Sequence, residues 1–171
     1  KYTTLSIKYF KKMKLKLEFV VKVPKEASDS EVILLKDKTA KNKLVKSLIK
    51  SLFNNKLFLE RKIVTQNISG KTYIFVNCAK SKTSLDFEKI GSKLYVYLEH
   101  NKIEKSFFDP SSSTLTNIQL EKLLHGAQLK SYNFNIYKTD KTKNLITNLY
   151  VVGSKYKKSN LLRDKLNSLL E

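Results

Sequence analysis

Apolar residues at Leu44, Val45, Leu48, Ile49, Leu52 and Phe53 recur at the spacing of one helix face, and this predicts an amphipathic helix from Ala40 to Asn54. The apolar runs around it have a different period. LKLEFVVKV after Met13 alternates through Leu15, Leu17, Phe19 and Val21 until Pro24 closes it, the pattern of a half-buried strand. EVILL (Glu31–Leu35) and KTYIFVNC (Lys71–Cys78) are continuous apolar runs of strand length, and Ser69-Gly70 turns the chain ahead of the second. A chain that switches between these two periods builds sheet and helix layers against each other, so the expected class is α/β.

The rest of the sequence keeps this alternation. Leu57–Val64 reads as a strand. Thr83 with Asp86, and Thr116 with Gln119, have capping-box spacing. The first box opens a helix through Leu85, Ile90, Leu94, Tyr97 and Leu98 to about His100. The second opens one through Leu120, Leu123, Leu124 and Ala127. Ile103–Phe108 reads as a strand ended by Asp109-Pro110 and a polar SSST loop. Leu145–Val152 is a final strand stopped by Gly153, and Asn160–Leu170 a last helix with Leu162, Leu166, Leu169 and Leu170 inward.

With 171 residues the chain fits one domain that needs no disulfide or metal to hold it. The basic opening KYTTLSIKYFKKMK reads as an extension, residues 1–12, ahead of a start at Met13, with a transit peptide or a membrane-surface helix as the alternative. The domain proper then covers 13–171. No apolar run reaches the roughly 20 residues of a membrane span, so no membrane partner is expected. The lone Cys78 suits a reducing compartment, and the expected location is cytoplasmic.

The charge is lopsided: Lys plus Arg number 34 against 15 Asp plus Glu, a formal net charge of +19. Such a field attracts polyanions, and nucleic acid bound without sequence preference is one candidate partner. Only Arg61 and Arg163 carry the guanidinium fork that reads phosphates and guanine edges bidentately. A compositional bias toward Lys, Asn and Ile explains the same surplus.

No catalytic, cofactor-binding or metal-ligating set assembles from the sequence. His100 and His125 lie on separate helices without a second ligand one turn away, and read as surface or helix-end residues. Cys78 ends an apolar strand and reads as core. Asp86, Glu88, Glu99 and Glu121 read as caps and solvated charges. The glycines are scattered, and no GxGxxG, GxxxxGK[ST] or GxSxG loop occurs.

One stretch carries a resemblance. In HGAQLKSYNFNIYKTDK, residues Gly126, Leu129, Ser131, Tyr132, Phe134, Tyr137, Lys138 and Thr139 match in register a pattern of the leucine (cytosol) aminopeptidase family, where E-G-x-x-L precedes S-Y-x-F-x-x-Y-K-T-K. His125 replaces that family's Glu and Asp140 its second Lys. MKLKLEFVVKV is similar to the family's first strand, F-E-K-I-G-S-K-L (Phe87–Leu94) to its next helix, and N-L-L-R-D-K-L-N (Asn160–Asn167) to the helix leading toward the catalytic domain. Asn77, Cys78 and Ala79 stand where the family has a glycine-bearing turn.

The resemblance implies a three-layer α/β/α sandwich, a macro-domain-like mixed sheet with helices on both faces. It further implies a non-catalytic N-terminal domain that supports assembly and access in a hexameric aminopeptidase, and that in some bacterial members helps bind DNA. The partners so implied are the catalytic domain of the same polypeptide and further copies of the chain. The two divalent metals, Zn or Mn, belong to the catalytic domain, whose N-T-D-A-E-G-R-L signature has no counterpart in these residues. Tyr132, Phe134 and Tyr137 are then expected to pack the exit of the Thr116 helix against the sheet. By fold analogy alone, ADP-ribose is a further ligand to weigh.

Overall fold

The computed structural model describes residues 14–37, 43–132 and 146–153, without the side chains of 43–45. Readings that fall on Phe134, Tyr137, the helix Asn160–Leu170 and the N-terminal extension lie outside these residues.

Among the described residues six strands form one sheet: β1 Leu15–Val20, β2 Ser30–Leu35, β3 Ile63–Ile68, β4 Lys71–Asn77, β5 Lys105–Phe108 and β6 Thr147–Val152. Their order is β1-β6-β5-β2-β4-β3. All neighbours run parallel except β3, which pairs antiparallel with β4 at the sheet's end. The helices are α1 Lys43–Asn54, α2 Lys56–Arg61, α3 Ser84–His100 and α4 Asn117–Ser131.

The central strands explain their own sequence. β2 and β4 are covered on both faces, so both side-chain rows are apolar and the alternation disappears. Val32, Leu34, Ile74 and Val76 face α3 and α4 together with Leu94, Leu98, Leu120 and Leu123. Ile33, Leu35, Tyr73 and Phe75 face Ile49 and Leu52 of α1 and Phe58 of α2. The result is the expected three-layer α/β/α sandwich. Edge strand β1 keeps its alternation, with Leu15, Leu17 and Phe19 on the α3/α4 side. Val20 turns to the other face, with Tyr150 and Phe107.

Both capping boxes form. Thr83 Oγ1 accepts from the Asp86 amide at 3.2 Å while Asp86 Oδ2 accepts from the Thr83 amide at 2.9 Å. Thr116 Oγ1 and Gln119 Oε1 repeat the exchange at 3.3 and 3.0 Å. Between β3 and β4, Ser69 (φ 50°) and Gly70 (φ 80°) both take positive φ, the geometry of a two-residue hairpin turn whose twist matches the strands it joins.

Helices α3 and α4 touch backbone to backbone. A Cβ on Gly91 would lie 1.8 Å from the Leu123 carbonyl oxygen, and one on Gly126 would lie 2.1 Å from that of Glu88. Ser92 Oγ donates across the same contact to the Gly126 carbonyl at 3.1 Å.

One expected element is corrected. Leu57–Val64 is not a strand: Lys56–Arg61 is the short helix α2, and β3 starts only at Ile63. Asn55 Oδ1 accepts from the amides of Leu57 and Phe58 and so starts the helix, while Lys62, with φ 67°, ends it. Smaller shifts occur elsewhere: β5 starts at Lys105 rather than Ile103, and in α3 Leu85 is exposed while Phe87 takes the buried place.

Candidate functional site

Among the described residues β3 ends the sheet, and no strand lies beyond it. A groove of about 1080 Å³ runs there between the strand and α3, with α2 closing one side. Its apolar lining includes Leu57, Ile63, Ile90, Val96 and Tyr97. The Tyr97 hydroxyl is engaged by Thr65 Oγ1, which ties α3 to the edge strand.

Cations surround this lining: Arg61, Lys62, Lys80, Lys89, Lys93 and Lys130. Among the described residues only two acids line it, and both are occupied. Glu60 pairs with Lys56 at 3.8 Å. Asp86 is held at about pKa 2, first by the Thr83 amide, then by the Lys82 amide and the Thr83 hydroxyl. Folding lowers this pKa from 3.8, so the cap's contribution is present above ordinary carboxylate pKa values and is lost as pH falls toward about 2. None of the six groove cations is ion-paired among the described residues. Ser81 also lines the groove; it is 6% exposed, and its buried hydroxyl has no hydrogen-bond partner among the described residues.

The residues weighed from the sequence do not meet at one place. His100 is exposed at the groove. His125, expected near the surface, is largely buried, with Nδ1 3.3 Å from Glu88 Oε1; Lys122 Nζ approaches the same oxygen at 3.5 Å. Glu99 pairs with Lys14 at 3.1 Å, and Glu121 is half-buried on α4. The buried Glu31 is matched by Lys71 at 2.6 Å. Among the described residues no group of three or more His, Cys, Asp or Glu is placed to hold a metal ion. Also among the described residues, no helix is long and apolar enough to cross a membrane.

Cys78 is fully buried, and desolvation pushes its thiol up to about 12 despite the opposing charge of Lys62. The native protein is therefore expected to resist a water-soluble disulfide reagent at mildly alkaline pH and to label only in denaturant. Labelling of the native protein at the rate of a free thiol would contradict the core position. The turn after β4 works without the family's glycines: the Cys78 amide donates to Leu35, and Asn77 Oδ1 accepts from the Ala79 amide at 3.0 Å.

No protein-family model matches the chain, and no curated protein sequence does either. Solved structures define the class: the fold is that of a macrodomain-like α/β domain. A macrodomain from Oceanobacillus iheyensis superposes with a TM-score of 0.54 and 14% identity, covering 90% of this chain and 92% of that one. A leucine aminopeptidase from tomato superposes with a TM-score of 0.57 and 15% identity over 91% of this chain. The chain spans 37% of the tomato enzyme's length. The bottromycin maturation enzyme BotP gives 0.51 and 12% identity, covering 77% of this chain and 28% of that one.

Proposed function

We propose that this chain is the non-catalytic N-terminal domain of a metal-dependent leucyl aminopeptidase. The family's full-length enzymes release N-terminal amino acids from peptides. In this reading the catalytic domain belongs to the same polypeptide and holds the two divalent ions, and the domain itself supports hexameric assembly and access in the cytoplasm.

One observation carries the reading. Gly91 and Gly126 come from two separate stretches that resemble the family, F-E-K-I-G-S-K-L and the stretch beginning HGAQLKSY, and they sit at the same α3–α4 backbone contact. Ser131 of the second stretch is buried at the end of α4, and its carbonyl accepts from the Lys14 amide at the start of β1. Gly91 and Gly126 are thus resembling residues that this packing requires. The superposition on the tomato enzyme supports the fold part of the reading.

The test has two parts. The purified chain, given an aminoacyl chromogenic substrate with Mn²⁺ or Zn²⁺, is expected to show no turnover; metal-stimulated hydrolysis would place catalysis inside these residues. The coding sequence beyond Glu171 is expected to continue into a domain carrying N-T-D-A-E-G-R-L, and a stop codon there would overturn the reading.

The alternative, a stand-alone module binding nucleic acid without sequence preference, has less support. Single-strand binders combine cations with stacking rings, whereas among the described residues lining the cationic groove Tyr97 is the one Phe, Tyr or Trp, beside the imidazole of His100, and its hydroxyl is already engaged.

A further inference from the structure

We propose that the groove beside β3 binds an extended acidic peptide segment of a partner protein, which adds to the sheet as a further strand beside β3. The main-chain part of the argument comes from register. The Asn77 amide donates to the Lys62 carbonyl at 2.7 Å, so Lys62 and Asn77 form a hydrogen-bonded pair. In an antiparallel ladder such pairs alternate with pairs whose N–H and C=O groups point away from each other. The pairings Ile63↔Val76, Thr65↔Ile74 and Asn67↔Thr72 are of the second kind. Ile63, Thr65 and Asn67 therefore turn their backbone donors and acceptors outward, and Ile63 and Thr65 line the groove.

A strand laid about 4.8 Å from β3 would take up these bonds and send its side chains alternately to two walls. One wall is α3, where Lys89 and Lys93 stand one turn apart, followed by Val96. The other is α2, with Leu57 and Arg61. Both walls pair an exposed apolar side chain with a cation, which suits a peptide alternating acidic and branched apolar residues. The Ser81 hydroxyl, without a partner among the described residues, supplies a further polar group at the groove.

Charge selects the occupant. Two copies of this chain meeting edge to edge would bring the same cations together, none of them ion-paired among the described residues, a usual defence of edge strands against self-association. An acidic strand meets the same cations as partners, and β-strand addition supplies the main-chain affinity.

The experiment is fluorescence anisotropy on the full chain with a capped, labelled peptide alternating glutamate and valine. Saturable binding at low salt is expected. Methylating alternate backbone nitrogens of the peptide keeps its charge but removes its donors, and should weaken binding roughly tenfold. Lys89→Glu with Lys93→Glu should weaken it by about as much; both side chains are exposed, and circular dichroism checks that the variant folds. No binding, equal binding of the methylated peptide, or displacement by oligothymidylate at lower charge concentration than by unlabelled peptide would each overturn the proposal; the last result would assign the groove to nucleic acid.

Discussion

Gly126→Ala is expected to cost about 3 kcal/mol or more of folding stability, against the local preference of the helix. In a solvated helix interior alanine is favoured over glycine by roughly 1 kcal/mol, so propensity alone predicts a gain. Packing reverses the sign. The added methyl group would meet Glu88 backbone atoms at 2.1, 2.5 and 2.6 Å, and a backbone has no rotamer to move into. Relief requires α4 to move away from α3, and the larger core of the domain lies beneath both helices. Gly91→Ala meets Leu123 and Ala127 from the other side and is expected to behave alike. A domain of this size has only about 5–15 kcal/mol of total stability, so the double variant is expected to lack a cooperative urea transition. Either single variant matching the parent in midpoint and slope would show that the helices do not meet through their backbones.

These glycines show what local reading captures and what it misses. From the sequence they are scattered, which correctly separates them from a phosphate-binding loop; that they face each other depends on how α3 and α4 cross. The capping boxes at Thr83 and Thr116 were legible because each closes within four residues and involves no other part of the chain. The double coverage of β4 was legible for a similar reason, since continuous burial removes the alternation from its own sequence. The groove left no such trace. Arg61 and Lys62 reach it from the end of α2, Lys80 from a loop, Lys89 and Lys93 from α3, and Lys130 from α4. Only the sheet order, which leaves β3 at the end, brings them to one place. In the sequence they were part of a general lysine surplus.

The segment that folds as α2 rather than as a strand gives the second large effect. In Leu57–Glu60 a strand would send Leu57 and Leu59 to one face and Phe58 to the other, and the two leucines make that the natural inward face. The structure has the opposite arrangement: Phe58 is 0% exposed, while Leu57 and Leu59 are 50% and 40% exposed. Phe58 fills the layer between α1 and the sheet and meets Phe53 edge-on, with ring centroids 5.6 Å apart. Phe58→Ala is therefore expected to cost about 3–5 kcal/mol in chemical denaturation. Leu57→Ala and Leu59→Ala should each stay within about 1 kcal/mol of the parent, because truncating a half-exposed side chain removes little buried area. A strand would invert this ranking, with both leucines costly and the phenylalanine cheap. The comparison thus reports on the helix itself as well as on one side chain. It also bears on the groove, because the helix anchored by Phe58 is the wall that carries Leu57 and Arg61.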